Sequence, residues 1–182
     1  MGNCSLKMKK RTNKLSSPVR RAAGPRPRVY LDSTIPSVYF DERENIRFEI
    51  ENTRRWWREE SANYEIWVSP ATVAEIEDGN YPRQQEVVAF CDALPLLTPS
   101  SAVDELAQVY IKNLVMPRKH LGDAWHLAYA TLHGFDFLLT WNCNHLANAN
   151  KRRHLENVNL SEGYLTPQIV TPLELFSESD DL

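Results

Sequence analysis

Residues 122–151 constrain the fold of this chain most, because they contain a helical pattern, a turn, an apolar strand and a second turn in succession. Asp123 opens the amphipathic helical pattern, and Gly134 stands where helices commonly end. The apolar run at 137–140 follows closely, as expected of a buried parallel strand. A Thr-Trp-Asn-Cys-Asn turn then closes it. This order predicts a parallel α/β sheet.

The same alternation of strands and helices runs through the rest of the chain. Strands are predicted at 28–31, 66–68, 96–97 and 137–140, with a possible edge strand at 169–170. Helices are predicted at 43–62, after Ser69-Pro70, and at 82–93, 101–114 and 123–133, with shorter turns at 33–36 and 171–175. In a parallel sheet with right-handed crossovers, the functional site lies outside the carboxyl ends of the strands.

Three acids are positioned to reach that edge of the sheet. Asp32 ends the first strand, Glu75 lies on the helix after the second strand, and Asp123 begins a helix. Carboxylates that come without a His/Cys ligand set are the usual protein ligands of Mg²⁺ or Mn²⁺. The sequence therefore predicts a divalent-metal site built from acids that are far apart along the chain.

Each acid also has a purely structural explanation. Asp32 precedes Ser-Thr and is a suitable cap for the following turn. Asp123 stands at a helix start, where the helix dipole favours a carboxylate. Glu77 competes with Glu75, but two residues on a helix lie about 200° apart, so only one of them faces the site. We expect the metal ligands to be Asp32, Glu75 and Asp123.

Three motifs resemble those of PIN-domain proteins, close to the toxin-like ribonucleases of the VapC type. LDST at 31–34 resembles the acid motif of the family's first strand, and S-x-x-T-x-x-E-I at 69–76 resembles its second motif. DAWHLAYATLHGFDFLLTWNCNHLAN at 123–148 resembles the third acid helix with its following strand and turn. The resemblance covers about 29–176 and rests on the order and spacing of all three motifs.

The resemblance implies a PIN-like three-layer α/β/α sandwich with a central parallel sheet of four to five strands. It implies a metal-dependent endoribonuclease that uses Mg²⁺ or Mn²⁺ and serves as the toxin of a type II toxin–antitoxin pair. Asp32, Glu75 and Asp123 match the family's metal-site acids. The fourth acidic position falls at Asn142 or Asn144, where family members often have Asp, and Asn142 is the expected fourth site residue. RNA, an antitoxin protein and a second copy of the chain are the implied partners.

Charge is distributed unevenly along the chain. The net charge is −3, yet residues 1–28 contain nine of the 21 Lys and Arg and no acid. The charge pattern predicts a basic disordered tail at 1–27 and an acidic C-terminal tail at 177–182. The resemblance implies a PIN-like nuclease domain between them, at 28–176. The basic tail is suited to holding RNA phosphates, although a solubilising role explains it as well.

Composition excludes several other classes of protein. No apolar run approaches the roughly 20 residues that cross a bilayer, and the N-terminus lacks the apolar core of a secretory signal. Leu6 stands where a myristoylation signal requires Ser or Thr. The three cysteines, Cys4, Cys91 and Cys143, have neither zinc-site nor disulfide-framework spacing. We expect a cytoplasmic protein without a membrane partner.

Several other residues have both a functional and a structural interpretation. His126 follows Asp123 by three residues, and we expect it to be helix surface or a packed polar contact. The pair Trp56-Trp57, flanked by arginines, is suited to base stacking but more often packs a helix against the core. Residues 151–153, Lys-Arg-Arg, are a candidate for RNA binding or a solvated helix end.

Two further functions remain open at this point. The first is a catalytically weak PIN-like RNA- or protein-binding module, which the amide at the fourth acidic position favours. The second is a phosphodiesterase or DNA nuclease, because the same acids serve either sugar and nothing in the sequence reads the 2′-hydroxyl.

Overall fold

The structure is a computed structural model that describes residues 24–143, 146 and 149–177. Its strands are β1 (Arg28–Leu31), β2 (Glu65–Trp67), β3 (Phe137–Leu139) and β4 (Gln168–Val170). Its helices are α1 (Thr34–Phe40), α2 (Arg47–Glu59), α3 (Pro70–Asp78), α4 (Gln84–Asp92), α5 (Ser101–Lys112), α6 (Leu121–Leu132) and α7 (Ala149–Ser161). Short 3₁₀ turns lie at Glu44–Ile46, Ser61–Asn63, Arg118–His120 and Pro172–Leu175.

The four strands form one parallel sheet in the order β2-β1-β3-β4. Val29 of β1 pairs with Ile66 of β2 on one side and with Phe137 of β3 on the other. The chain thus runs from β1 to β2 on one side and then crosses back to β3 and β4 on the other side. This reversal creates a switch point between β1 and β3. Ligand sites of open α/β sheets form at such points.

Alternate residues of the strands face two separate cores. Val29 and Leu31 pack with side chains of α1 to α4, whereas Tyr30 between them packs with α5, α6 and α7. Period-two alternation is what places successive strand side chains on opposite faces. The predicted three-layer α/β/α sandwich is therefore confirmed, with four parallel strands in the described part of the chain.

The predicted strand at 96–97 is wrong. Leu96 makes only a single parallel bridge with Val68, and it is 55% exposed. Pro95 and Pro99 flank this segment, and proline lacks the N–H that a sheet ladder requires. The segment therefore touches the edge of the sheet without extending it.

Helix positions are close to those predicted, with one omission. The pattern at 43–62 contains a 3₁₀ turn, then α2, then another 3₁₀ turn. The helix predicted at 123–133 begins two residues earlier, at Leu121, and Gly134 after it has a φ of 63°. The sequence indicates α7 only as a possible helix end at 151–153, because its buried side chains include the polar Asn159 besides Leu155 and Val158.

The ends of the chain lie partly outside this description. Residues 1–23 of the predicted basic tail and 178–182 of the predicted acidic tail fall outside the described residues. Ser177, which was assigned to the acidic tail, donates hydrogen bonds to the Glu60 carboxylate from its backbone N–H and its hydroxyl. Every helix in the described ranges is too short or too polar to cross a lipid bilayer.

Candidate functional site

Asp32 joins the carboxyl ends of the two central strands. Its Oδ1 accepts hydrogen bonds from the backbone N–H and the hydroxyl of Thr34, at 3.0 and 2.5 Å. Its Oδ2 accepts a hydrogen bond from the Thr140 hydroxyl just after β3, at 2.5 Å. Asp32 thus caps the following turn and also reaches the neighbouring strand.

Burial and hydrogen bonding act in opposite directions on this carboxylate. Asp32 is 2% exposed, and this desolvation raises its pKa above the usual range. The charge of His126 and the donors on Thr140 and Thr34 oppose that rise. A buried carboxylate is costly unless donors satisfy its oxygens, and here each oxygen has at least one.

Helix α3 delivers Glu75 to the same edge of the sheet. Ser69 caps α3 by accepting hydrogen bonds from two backbone N–H groups, and its own backbone N–H donates to the Thr72 hydroxyl oxygen. Pro70 occupies the first turn, where its missing N–H costs nothing. This cap fixes the start of the helix, and Glu75 follows within two turns.

Glu75 contacts residues from two other elements. Its Oε2 accepts a hydrogen bond from the Ser33 hydroxyl at 2.6 Å and another from His126 Nε2 at 2.9 Å. Desolvation acts to raise its pKa, but the hydrogen bond and charge of His126, with the Ser33 bond, outweigh it and lower the pKa below its usual value. Glu75 is therefore the acid of α3 that contacts this edge, whereas Glu77 lies on the α4 side of the helix, beside Gln84 and Gln85.

Gly122 lies directly against the Glu75 carboxylate. A Cβ at this position would stand 2.0 Å from Glu75 Oε1, so only a residue without a side chain fits while the carboxylate keeps its place. No pattern in the sequence marks this role of Gly122. The close approach brings Glu75 to the first turn of α6, next to Asp123.

Asp123 and Asn142 form a pair at the start of α6. The Asn142 side-chain amide donates a hydrogen bond to Asp123 Oδ1 at 2.8 Å, and His120 Nδ1 lies 3.5 Å from Asp123 Oδ2. The backbone N–H of Asn142 donates to the Thr140 hydroxyl at 2.8 Å. Asn142 thus presents its amide nitrogen to Asp123. Asn144, the other candidate for the fourth position, lies outside the described residues.

His126 lies among the three acids. It is 1% exposed, so the helix-surface interpretation is wrong and the packed polar contact is confirmed. Burial acts to lower its pKa, but the hydrogen bond and charge of Glu75 and the charges of Asp32 and Asp123 outweigh burial and raise it. One imidazole therefore lies within electrostatic range of all three predicted acids.

The donor set is chemically suited to a hard divalent cation. Carboxylate and amide oxygens are the ligands that Mg²⁺ prefers, and each carboxylate oxygen has lone pairs beyond those used by its hydrogen bonds. Exposure increases from Asp32 to the side chains of Asp123 and Glu75, at 13% and 39%. Among residues 24–143, 146 and 149–177, however, no group of three or more His, Cys, Asp or Glu side chains is close enough to hold a metal ion.

The other candidate residues lie in different surroundings. Trp56 is fully buried and Trp57 packs against the same core, which confirms the packing interpretation. Residues 151–153 lie on α7, where Arg152 donates to the Ile169 carbonyl at 3.4 Å. A cavity of about 660 Å³ between α1 and the α3–α4 connection contains none of the predicted acids.

Comparisons with known proteins give structural likeness only. No protein-family model and no curated protein matches the sequence. A toxin–antitoxin complex from Klebsiella pneumoniae is 19% identical with a TM-score of 0.47, covering 79% of this chain and 97% of that one. VapBC-1 from nontypeable Haemophilus influenzae is 16% identical with a TM-score of 0.48, covering 80% and 98%.

A third similar structure belongs to a different class of protein. It is a tyrosyl-tRNA synthetase from Archaeoglobus fulgidus with bound L-tyrosine, 15% identical with a TM-score of 0.41, covering 80% of this chain and 54% of that one. Any functional assignment must therefore come from the motifs and from the geometry of the site.

Proposed function

We propose that this chain is a metal-dependent endoribonuclease of the PIN type. Asp32, Glu75 and Asp123 would hold Mg²⁺ or Mn²⁺, with Asn142 completing the site. The observation that carries the proposal is the approach of acids from β1, α3 and α6 to one edge of the sheet, at its switch point. Ser33, next to Asp32, donates to Glu75, and a chain of hydrogen bonds through Thr140 and Asn142 links Asp32 to Asp123.

The residues of the site would have different roles in such a reaction. Asp32 is buried and held by hydroxyls, so it is the fixed ligand of the set. Glu75 and Asp123 are more exposed, so they would face an arriving phosphodiester. A bound Mg²⁺ or Mn²⁺ supplies a water of lowered pKa and positive charge for the phosphate oxygens. No covalent protein nucleophile is needed.

Motif resemblance supports the biological setting of the proposal. LDST, S-x-x-T-x-x-E-I and the acid helix with its strand occur in the order seen in VapC-type toxins. We therefore propose that the chain is the toxin of a type II pair, cytoplasmic, dimeric and held by an antitoxin. RNA is the proposed substrate, and the basic residues at 151–153 are candidates to contact it.

Cleavage of RNA by the purified protein tests the activity. We expect cutting with Mn²⁺ or Mg²⁺, none with EDTA, and none by Asp123→Asn, whose melting temperature should stay close to that of the parent. Glu75→Gln should also be inactive. Glu77→Gln is the matched control, because it removes an exposed acid from the same helix and should cut normally. Full activity of Asp123→Asn contradicts the assignment.

The second candidate function is an RNA- or protein-binding module with a weak metal site. Two observations favour it: the described residues contain no close group of three ligands, and Asn142 supplies a donor where the family often has an acid. Calorimetric titration with Mn²⁺ separates the two functions, because the nuclease requires metal uptake. RNA binding without Mn²⁺ uptake identifies the module.

Asn142→Asp separates them further. The substitution replaces an amide donor, 2.8 Å from Asp123, with a second carboxylate. For a nuclease, Mn²⁺ should bind this variant more tightly and offset the like-charge repulsion. For a binding module, the variant should lose stability equally with and without Mn²⁺.

A further inference from the structure

We propose that a buried hydrogen-bond network of Ser69, Tyr30 and His126 positions Glu75 in the site. This role rests on the proposed metal-dependent function, because it concerns one of the proposed ligands. His126 and Tyr30 are positioning residues here, since they act on the site through the Glu75 carboxylate.

The network runs without interruption from the cap of α3 to the exposed carboxylate. His126 Nε2 lies 2.9 Å from Glu75 Oε2, and His126 Nδ1 lies 2.7 Å from the Tyr30 hydroxyl. The Tyr30 oxygen lies 2.7 Å from Ser69 Oγ and 3.3 Å from Thr72 Oγ1. Tyr30, Ser69 and Thr72 are fully buried and His126 is 1% exposed, so the protein itself must satisfy these groups.

The donors and acceptors of the network have a consistent direction. Ser69 Oγ already accepts two backbone N–H groups, which leaves its own proton for the Tyr30 oxygen. Thr72 donates its proton to the Leu31 carbonyl at 3.0 Å, so toward Tyr30 it can only accept. The single proton of Tyr30 goes either to Thr72 at 3.3 Å or to His126 Nδ1 at 2.7 Å, and in the first case Nδ1 is the donor to Tyr30. A carboxylate oxygen can only accept, and His126 Nε2 therefore carries the proton that faces Glu75.

The network also joins the three elements that supply the acids. Tyr30 lies in β1 two residues before Asp32, Ser69 begins the helix that carries Glu75, and His126 lies one turn after Asp123 in α6. Glu75 is the most exposed of the three carboxylates, so packing alone does not fix it. The His126 imidazole contacts the Tyr30 hydroxyl through Nδ1 and donates to Glu75 through Nε2. It therefore fixes the position of a carboxylate that packing leaves free to move.

Mn²⁺ binding by the purified chain, measured by calorimetry and by the electron paramagnetic resonance signal of the free ion, tests this role. Tyr30→Phe removes the hydroxyl and keeps the ring. We expect its dissociation constant for Mn²⁺ to rise about 10-fold, as is usual when the partner of a metal ligand is lost. The matched control is Tyr110→Phe, because Tyr110 is equally buried and bonds Asn159 at 2.7 Å, away from the acids. Its affinity should stay unchanged.

A second pair of variants tests the donor itself. His126→Leu removes both ring nitrogens, whereas His126→Gln places an amide nitrogen where Nε2 stands. We expect His126→Leu to lose Mn²⁺ affinity and His126→Gln to recover most of it. If His126→Leu does not fold, Tyr30→Phe against Tyr110→Phe decides the matter alone.

The outcomes separate this role from the function on which it rests. Mn²⁺ binding by the parent, with equal affinity in Tyr30→Phe and Tyr110→Phe, overturns the positioning role and leaves the nuclease proposal standing. Equal losses in both variants overturn it too, because they indicate general destabilisation. Absence of Mn²⁺ binding by the parent overturns the proposed function and the positioning role together.

Discussion

Gly122→Ala is the most selective perturbation that the structure offers, because it moves one carboxylate without removing any polar group. A Cβ at position 122 would stand 2.0 Å from Glu75 Oε1, and real Cβ contacts essentially never fall below 3.0 Å. Glu75 Oε1 must therefore retreat by about 1 Å or more. The carboxylate is the far end of a flexible, 39% exposed side chain, so it yields before the backbone does.

The expected effects on stability and on activity are very different. Alanine is favoured over glycine within a helix by about 0.5–1 kcal/mol. Weakening the hydrogen bond between Glu75 and His126 costs about 1–2 kcal/mol. These effects oppose each other, so the free energy of unfolding should fall by no more than about 1.5 kcal/mol. A misplacement of about 1 Å in a catalytic site can cost roughly 100-fold in rate, and we expect a loss of that order in RNA cleavage.

Two measurements on the same preparation test this reasoning. Urea denaturation gives the free energy of unfolding, and single-turnover RNA cleavage with Mn²⁺ gives the rate. Gly24→Ala is the control, because a Cβ at Gly24 meets nothing within 4 Å. Unchanged cleavage by Gly122→Ala would refute the argument that Glu75 must occupy its observed place. A stability loss of several kcal/mol would refute the argument that the side chain yields first.

Three further predictions concern stability and accessibility. Ser177→Ala should raise the pKa of Glu60, because the hydrogen bond from the Ser177 hydroxyl is the largest cause that lowers it. A lowered carboxyl pKa stabilises the fold at pH values above the usual carboxyl range, and this stabilisation is lost as pH falls through the lowered pKa. Urea denaturation should therefore show a smaller loss of unfolding free energy on acidification in the variant than in the parent. Iodoacetamide should label exposed Cys143 in the native protein, whereas Cys91, buried and with its pKa raised to about 12, should react only after unfolding, as peptide mass spectrometry would reveal. Trp56→Ala should cost about 3–5 kcal/mol in urea denaturation, and a cost below about 1 kcal/mol would contradict its buried position.

Much of the fold was predictable because local signals and burial agree. The predicted strand at 28–31 matches the structure because its residues are largely apolar and include β-branched Val29. The helix predicted after Ser69-Pro70 matches because Ser69 caps it. The segment at 96–97 is equally apolar, yet its flanking prolines prevent it from extending the sheet. Apolar content alone does not distinguish a strand from a segment that touches its edge.

Helix α7 illustrates the opposite error. Its sequence is mostly polar, and only Leu155 and Val158 give an apolar face. Asn159 adds a buried polar position, where it accepts from Tyr110 and donates to Thr166. These partners are far from it in sequence or lie in a loop, so no periodic pattern marks Asn159 as part of the core.

The proposed ligands were predictable from sequence, but the residues that hold them were less so. Asp32, Glu75 and Asp123 were chosen as ligands because they sit at element ends in a recognisable order. The sequence does contain a signal for the burial of His126. Helix α6 is apolar on nearly every side, which is typical of a buried helix, and a histidine within such a helix needs hydrogen-bond partners. Gly122 gave no such signal, because its role depends on the approach of a distant side chain.

The donors that hold these acids bear on the proposed binding of a cation. Among the described residues, hydroxyls, a backbone N–H and an imidazole hold Asp32 and Glu75, and these groups fix the carboxylates without an arginine or lysine. Arg83 shows the contrasting arrangement, because its guanidinium pairs with Glu42 and Glu86 and neutralises their charge. The hydroxyl donors leave the negative charge of Asp32 in place, whereas the charge of His126 offsets part of that of Glu75. Under the proposed function, we therefore expect a divalent ion to gain more by binding at these carboxylates than at the Arg83 ion pairs.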